Sequence, residues 1–486
     1  MAVDRRDVGL MLALFAAALL LRVLYVLGYG FDGLYGQDAF AYYDFAAAVA
    51  SGRTPGPFFW PLGYPVLLTG AFALFGVSAA AAQAINLALG ALLAPLVYVL
   101  ARQAGCRWPG ALAAGLLMAI CGQAVQSSLV VMADIPALAW AVISAVALNV
   151  YLDDRRRRWL ALAAVTVALA AVTRWLYLAL VLPWGMAVLV AWRGRFRWQD
   201  ALAALAAALV ILLPQMLYST TGPYPTLNHA WVRGWSPENM LRRDFVNVDG
   251  VFHYEQANAL FYARPFYDAY YLAPVFAVFM LPGLWTLWRR DVARALMTAG
   301  WALVPYGFLV GIPYQNIRFP LIVFPAIAVL AGLGIEAVEG WQVIRGRQAA
   351  VWGILGMVVL FGLGQTVSAG QEVIGTFLGR QQADRAAAAW VTAYVPPEAN
   401  LYTFGLTLTL QHYTDLEVYE LFYETPDTLT DRWVAGQPDY LLINVWQIEN
   451  QWDGRAPQIA FHWLRDVRGL TELGRYGNYT LFRVGG

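Results

Sequence analysis

The sequence predicts a polytopic α-helical membrane protein that ends in a small α/β domain, and three observations support this. The 486-residue chain is 60% hydrophobic and 13% charged, whereas soluble domains carry about 25% charged residues. Apolar runs of the length that crosses a bilayer as a helix, about 20 residues, recur as far as residue 369. Beyond residue 370 these runs stop, and short alternating segments typical of strands replace them.

The apolar runs predict about 11 transmembrane helices. They lie at 8–29, 79–101, 109–128, 134–152, 159–175, 176–192, 200–218, 271–288, 295–312, 319–338 and 349–369. The apolar segment 61–76 is shorter and interrupted by Pro61 and Pro65. It is predicted to lie partly in the membrane interface, with a twelfth span as the alternative.

The arginine distribution predicts the orientation of these spans. Arginine-rich segments occupy alternate loops, at 5–6, 102–107, 153–158, 193–197, 288–294 and 345–347. Because cytoplasmic loops are enriched in basic residues, the N-terminus is predicted inside and the C-terminus outside. The transmembrane domain then covers 1–370, with the outer loops 30–78 and 219–270. Residues 371–486 form the extracytoplasmic domain.

Composition also argues against several other classes of protein. The net charge is +1 and the chain contains no lysine, so no extended basic surface indicates nucleic-acid binding. Cys106 and Cys121 lie in or beside apolar segments, and no disulfide framework is predicted. The four histidines show no spacing typical of a metal cluster.

The C-terminal segment has the pattern of a small α/β domain. The stretch "NLYTFGLTLTLQHYTDLEVYEL" alternates like strands, and "TPDTLTDRWVAGQ" begins with the residues that favour a helix start. "DYLLINV" is typical of a buried strand, and "GRYGNYTLFRV" is predicted to be a closing edge strand.

The first outer loop contains the first candidate for chemistry, Asp38 in "YGQDAFAYYDF". Asp38, Tyr42 and Phe45 recur at helical spacing, which predicts a short helix with Asp38 at its start. One interpretation is that Asp38 only stabilises the helix N-terminus, where an acid is favourable. The other is that it reacts with a substrate. Asp44 is interpreted as a solvated residue on the helix face.

Further ionisable residues lie at the predicted outer ends of other spans: Asp134, Arg174 and Arg318. Charged groups at membrane depth are costly and usually face a cavity and one another. They therefore predict a site for an anionic head group. The alternatives are a helix start for Asp134 and snorkelling to the interface for the two arginines. Arg22, deep within the first span, is either a cavity residue or a snorkelling one.

Three stretches resemble the GT-C superfamily of integral-membrane glycosyltransferases, most of all the branch with protein O-mannosyltransferases and lipid A aminoarabinose transferases. They are "PLGYPVLLTGAFALFG" after Asp38, "MADIPALAWAVISAVAL" and "IRFPLIVFPAIAVLAGLG". The resemblance implies a bacterial inner-membrane enzyme that moves a sugar from a polyprenyl-phosphate donor to an acceptor glycan, lipid or protein. The transfer would invert the configuration of the sugar and take place on the outer face.

The resemblance also assigns roles to residues. Asp38 would be the general base, and Asp134 would position the acceptor or orient an arginine. Arg318 would bind the lipid phosphate, with Arg174 and Arg264 as further choices. No metal is required, although Asp38 and Asp134 could bind a divalent cation. Residues that resemble a sugar or acceptor site, or an interfacial aromatic belt, are Tyr42, Trp60, Tyr64, His253 and Tyr314.

This sequence departs from the pattern of the aminoarabinose transferases at two points. Asp38 is followed by Ala39, where many aminoarabinose transferases have Glu, and "FFWPLGYP" lacks the lysine that they carry. These differences argue against an aminoarabinose donor. A flippase for a lipid-linked glycan and a non-catalytic scaffold remain the alternative functions. The sequence leaves the sugar, the acceptor and the oligomeric state open.

Overall fold

A computed structural model describes residues 4–56, 58–193, 197–221, 230–247, 249–339, 348–432 and 438–485. The chain divides into two compact units. The first unit contains Met1–Leu34, Ala41–Leu241 and Ala257–Gly375, and the second contains Tyr35–Phe40, Arg242–Gln256 and Thr376–Gly486. Parts of the predicted loops and of the predicted C-terminal helix lie outside the described residues, at 194–196, 222–229, 345–347 and 433–437.

Helices make up most of the first unit. The first ten are α1 (Arg5–Tyr29), α2 (Gln37–Ala50), α3 (Gly63–Phe75), α4 (Ala79–Gln103), α5 (Trp108–Ile120), α6 (Gly122–Leu129), α7 (Asp134–Asp154), α8 (Arg157–Thr173), α9 (Val181–Ala191) and α10 (Trp198–Thr221). The next seven are α11 (Ala230–Arg233), α12 (Asn258–Tyr262), α13 (Arg264–Tyr267), α14 (Pro274–Arg290), α15 (Val292–Leu309), α16 (Phe324–Glu339) and α17 (Gln348–Val391). Short 3₁₀ helices at Trp175–Leu180 and Phe319–Val323 precede α9 and α16.

Each predicted span coincides with one or more of these helices, but the helices differ in length. Among the described residues, seven helices are long and apolar enough to cross a membrane, or eight if a bent pair counts as one span. Other predicted spans coincide with helices of 17 residues, such as α8 and α14, which rise about 26 Å at 1.5 Å per residue. The count of 11 spans therefore stays a prediction.

The predicted span 109–128 consists of two helices rather than one continuous helix. The helix is interrupted at Cys121, and its two parts, α5 and α6, are bent by 49° relative to each other. The amide of Gly122 donates to the carbonyl of Tyr270 over 2.9 Å, which takes it out of the helical hydrogen-bond pattern. A continuous apolar run carries no sign of such a break.

Arg22 of α1 lies beside this break and is fully buried. Its Nε donates to Ser128 Oγ at 3.0 Å, and its Nη1 donates to the carbonyls of Ala18 and Ala119 at 2.9 and 3.3 Å. Arg22 is thus an interior residue rather than a snorkelling one. It ties α1 to both halves of the bent pair.

The second unit contains the C-terminal sheet. Its strands are β3 (Asn400–Thr403), β4 (Glu417–Glu420), β5 (Asp439–Ile443), β6 (Leu470–Tyr476) and β7 (Tyr479–Val484), after a separate hairpin of β1 (Asp244–Asn247) and β2 (Gly250–His253). The sheet order is β4-β3-β5-β7-β6. Strands β4, β3 and β5 are parallel, and β7 and β6 continue the sheet antiparallel.

Two details of the predicted domain are wrong. The alternating stretch 400–421 forms β3, then the helix α18 (Thr407–Tyr413), then β4, because β3 and β4 run parallel and need a crossover between them. β7 is not an edge strand, since it pairs with both β5 and β6. The remaining helices are α19 (Pro426–Arg432), α20 (Val445–Asn450) and α21 (Ala456–Trp463).

The sheet separates two apolar clusters, as alternating side chains require. Leu401 and Leu442 belong to the cluster that includes residues of α17 and α18. Tyr402 and Leu441 belong to the other, which includes residues of α20 and α21. The second unit is therefore built in three layers, with helices on both faces of the sheet.

Candidate functional site: two arginines held by a buried aspartate

Three charged residues predicted at the ends of different spans meet in the first unit. Arg174 Nη1 lies 3.0 Å from Asp134 Oδ1, and Arg318 Nη1 lies 3.6 Å from Asp134 Oδ2. The Asp134 side chain is 4% exposed, whereas Arg174 and Arg318 are 16% and 22% exposed. We call this group the arginine–aspartate triad.

The local backbone explains why each member reaches this point. Asp134 is the first residue of α7, where the free amides of the helix end favour a carboxylate. Arg174 follows α8 in an extended conformation, with φ −154° and ψ 115°, before the next 3₁₀ helix starts. Arg318 immediately precedes the 3₁₀ helix Phe319–Val323. All three residues thus lie where a helix begins or ends.

Neighbouring side chains orient the two guanidinium groups. Arg174 lies over the ring of Phe319, 5.0 Å from its centroid, in cation–π geometry. Arg318 Nε donates to Asn316 Oδ1 at 3.3 Å, and its Nη1 contacts the sulfur of Met132. Each arginine therefore has a second support besides Asp134.

The triad carries a net positive charge. Two guanidinium groups share one carboxylate, so the formal charges of the three side chains sum to +1. Asp134 Oδ2 is buried and accepts no hydrogen bond from the described residues. An anion that accepts hydrogen bonds from both guanidinium groups is electrostatically favourable beside the two arginines.

An aromatic cluster from the predicted first outer loop also belongs to the first unit. The Tyr42 ring packs against the rings of Tyr64, Phe58 and Trp60, with centroid distances of 5.0, 5.6 and 5.8 Å. Tyr42 and Tyr64 are buried, whereas Trp60 is partly exposed. The structure therefore brings together three of the predicted aromatic residues.

Hydrogen bonds connect this cluster to the segment that precedes Asp134. The Tyr64 hydroxyl donates to Asn86 Oδ1 at 2.8 Å. Asn86 Nδ2 donates to the carbonyls of Val130 and Met132 at 2.6 and 2.8 Å, and Gln83 Nε2 donates to the carbonyl of Leu129 at 2.9 Å. A merely apolar reading of the span 79–101 missed Asn86 and Gln83. Their polar side chains inside an apolar run are the signal that could have revealed them.

Asp38 lies in the first turn of α2, as the sequence predicted, and is partly exposed. It belongs to the second unit with the segment Tyr35–Phe40, while α2 continues into the first unit. Asp44 on the same helix is exposed.

The other predicted residues have different surroundings. Arg264 Nε pairs with Asp268 Oδ2 at 2.9 Å in its own helical turn, and its guanidinium lies 5.3 Å from the Phe261 ring centroid. His253 is exposed and its Nδ1 lies 2.8 Å from Asp244 Oδ1 across the β1–β2 hairpin. Tyr314 is partly exposed, and its carbonyl accepts from the Tyr262 hydroxyl at 2.7 Å.

Metal binding finds no geometric support in the part of the chain that the structure describes. No group of three or more His, Cys, Asp or Glu side chains there is placed to hold a metal ion. The arginine–aspartate triad offers donors to an anion instead.

Fold and site together define a multi-pass helical membrane protein with two arginines held by a buried aspartate and an attached α/β unit. The family model PMT, described as dolichyl-phosphate-mannose-protein mannosyltransferase, matches residues 61–224. The matched range contains Asp134 and Arg174. No curated protein sequence matches the chain significantly.

Solved structures with the same fold include two of ArnT from Cupriavidus metallidurans. The apo state aligns with a TM-score of 0.67 at 16% identity, and the state bound to undecaprenyl phosphate with 0.64 at 16%, each over 97% of both chains. AglB, the oligosaccharyltransferase from Archaeoglobus fulgidus in complex with an inhibitory peptide and a dolichol-phosphate, aligns with a TM-score of 0.56 at 13% identity. That alignment covers 90% of this chain and 70% of AglB.

The chain therefore shares the fold of these solved structures and is similar to the family model over residues 61–224, which agrees with the resemblance found in the sequence.

Proposed function

We propose that the protein is an inverting glycosyltransferase that moves a sugar from a polyprenyl-phosphate donor to an acceptor hydroxyl. The observation that carries this proposal is the arginine–aspartate triad, in which two arginines lie 3.0 and 3.6 Å from the single carboxylate of Asp134. A phosphate that gains negative charge as it leaves needs such a preorganised positive group.

Within this proposal the arginines bind the lipid phosphate. A guanidinium donates two parallel hydrogen bonds to phosphate oxygens, which fixes the orientation of the group as well as its charge. Arg318 and Arg174 are both partly exposed, so both can reach a ligand. Asp134 is nearly fully buried and acts as a positioning residue that holds the two arginines.

Asp38 is proposed as the general base. The acceptor oxygen attacks the anomeric carbon from the face opposite the phosphate, and its proton passes to the Asp38 carboxylate. The bond between the anomeric carbon and the phosphate oxygen breaks, and the polyprenyl phosphate leaves with the bonding electron pair. This single displacement inverts the configuration and needs no metal ion, because a phosphate is already a reasonable leaving group.

The compared proteins support the class of donor. The matched family description names a dolichyl-phosphate-mannose donor, and the ArnT and AglB structures contain undecaprenyl phosphate and a dolichol-phosphate. We further propose that the reaction takes place on the outer face of a bacterial inner membrane, since the arginine-rich loops assign the opposite face to the cytoplasm. A glycan, a lipid and a protein all remain possible acceptors.

The test is turnover of a panel of polyprenyl-phosphate sugars by purified protein in detergent, with an envelope extract as acceptor. Released polyprenyl phosphate is measured for the wild type, Asp38→Asn and the exposed control Asp44→Asn. We expect Asp38→Asn to lose about 10²-fold or more, the contribution of a general base, and Asp44→Asn to keep wild-type turnover. Equal turnover of Asp38→Asn and wild type would refute Asp38 as the base. Absence of turnover with every donor would favour a transporter or a scaffold.

A further inference from the structure

The parallel part of the C-terminal sheet contains a topological switch point. The chain passes from β3 to β4 on one side of β3 and then to β5 on its other side, which gives the order β4-β3-β5. Neighbouring strands whose connections leave in opposite directions form a topological switch point, and ligands of open α/β sheets bind there, outside the carboxyl ends of the strands. The switch point lies between β3 and β5.

Aromatic residues gather at the carboxyl ends of these parallel strands, which we call this edge of the sheet. Phe404 directly follows β3, Phe422 and Tyr423 follow β4, and Trp446 follows β5 by three residues. Tyr423 and Trp446 are 69% and 72% exposed. Exposed aromatic rings that follow neighbouring strands at the carboxyl ends of a parallel sheet indicate recognition rather than core packing.

Trp452 connects these rings. Its ring lies edge-on to Phe404 and to Phe422, with centroid distances of 4.9 and 5.7 Å. Trp452 is 6% exposed, yet its buried Nε1 has no hydrogen-bond partner among the described residues. The Oγ1 of Thr403, the last residue of β3, is likewise buried without a partner there. Most buried polar groups are paired, so the unpaired Nε1 of Trp452 beside these rings points to a missing partner.

The carboxylate of Glu420 at this edge restricts the charge that a ligand can carry. Glu420 ends β4, and its carboxylate accepts from Thr407 Oγ1 at 2.6 Å and from the Phe422 amide at 3.3 Å. A carboxylate at the carboxyl end of β4 repels anions, which argues against a phosphate or an anionic membrane surface as the ligand. It readily accepts hydrogen bonds from hydroxyl groups. An uncharged ligand with one apolar face and many hydroxyls, which is the chemistry of a sugar ring, fits these groups.

We propose that the carboxyl edge of β3, β4 and β5 binds a sugar ring of the acceptor glycan, with Tyr423 and Trp446 as stacking platforms. Binding of a sugar at this edge is independent of the reaction, whereas its assignment to the acceptor rests on the proposed glycosyl transfer. The acceptor is then a glycan rather than a protein or a simple lipid.

The first experiment measures binding without turnover. Saturation-transfer difference NMR is recorded on the full-length protein in detergent with methyl glycosides of mannose, galactose, rhamnose, arabinose and N-acetylglucosamine. We expect a signal from at least one glycoside, reduced at least fivefold in Tyr423→Ala and in Trp446→Ala. Tyr394→Ala removes another exposed tyrosine of the second unit, 47% exposed, and is expected to keep the signal. The truncated rings are exposed, so equal thermal melting of all four proteins checks that they fold.

Two further experiments test whether the bound sugar belongs to the donor or to the acceptor, and whether the site binds a different kind of ligand. Addition of the polyprenyl-phosphate sugar is expected to leave the signal unchanged, and displacement would overturn the acceptor assignment. With active protein, the KM for the acceptor should rise in Tyr423→Ala and Trp446→Ala at unchanged kcat. No signal from any glycoside, or equal signals in wild type and both variants, would overturn the proposal. The proposal would also be overturned if Tyr423→Ala and Trp446→Ala lost binding to lipid vesicles but kept the binding of the glycoside.

Discussion

The two units present their candidate sites by different physical means. In the first unit a carboxylate that is 4% exposed is paired with two arginines, an arrangement that apolar surroundings tolerate only because the charges compensate one another. In the second unit the charged group at the sheet edge has ordinary hydroxyl and amide partners, and the distinguishing features are exposed rings and strand order.

This difference shows where each kind of site can be recognised. At the depth of an apolar span a charged residue costs free energy, so charged residues at the ends of several spans indicate the first site. In a water-exposed α/β unit charged residues are common, and only the arrangement of strands and unpaired buried groups marks the second. Three substitutions test this contrast, from the largest expected effect to the smallest.

The largest effect is expected for Asp134→Asn. The substitution leaves two arginines without their shared counter-charge, and breaking a buried ion pair in this way costs about 3–5 kcal/mol. Thermal or denaturant unfolding of the detergent-solubilised protein measures the loss. Asp268→Asn is the matched control, since Asp268 and Arg264 are 22% and 30% exposed and a partly exposed pair contributes about 1 kcal/mol or less. Equal losses in both variants would mean that Asp134 is no more important than a surface partner.

A smaller effect is expected at the junction between the first loop and the end of α8. A methyl group on Gly63 would come within 2.7 Å of Thr173 Oγ1 and of the Val172 carbonyl. Gly63→Ala should therefore shift α3 away from the end of α8 and destabilise the protein by about 1–3 kcal/mol, the usual cost of overpacking.

Gly70→Ala in the same helix supplies the control for this prediction. Nothing lies within 4 Å of a methyl group there, so the change should be neutral or stabilise the helix by about 0.5–1 kcal/mol. Melting temperatures of the two variants are compared with that of wild type. A loss that is no larger for Gly63→Ala would show that α3 does not need its close contact with α8.

The smallest effect concerns the pH dependence of the second unit. Burial raises the pKa of Glu420 above its ordinary value of 4.5, although hydrogen bonds from Thr407 and Phe422 act in the opposite direction. The folded state thus binds this proton more tightly than the unfolded state. Wild type should lose stability relative to Glu420→Gln as the pH rises from about 4.5 through the raised pKa. A difference in melting temperature that does not change with pH, or changes with the opposite sign, would contradict this assignment.

Much of the first unit could be predicted from the sequence because a bilayer restricts what a chain can do. Apolar runs of sufficient length have to be helices, and each predicted span coincides with helical structure. The sequence also predicted the contact between Asp134, Arg174 and Arg318, because charged residues at membrane depth usually pair with one another.

The remaining features depend on contacts that a local pattern does not encode. The break at Cys121 depends on Tyr270, whose carbonyl accepts from the Gly122 amide, more than a hundred residues along the chain. The stretch 407–413 alternates like a strand, yet it forms α18, because the parallel pairing of β3 and β4 requires a crossover. The sugar-binding edge proposed above depends on strand order, and sequence reasoning did not find it.

The central claim is that Arg174 and Arg318 bind a lipid phosphate, and binding of a polyprenyl phosphate tests it most directly. Native mass spectrometry of the detergent-purified protein measures occupancy in wild type, Arg174→Ala, Arg318→Ala and the control Arg264→Ala. Loss of one charged hydrogen-bonding partner costs about 1.5–3 kcal/mol, so each triad variant should bind about 10- to 100-fold more weakly, while Arg264→Ala stays close to wild type. Unchanged binding in both triad variants, or a loss confined to Arg264→Ala, would contradict the account.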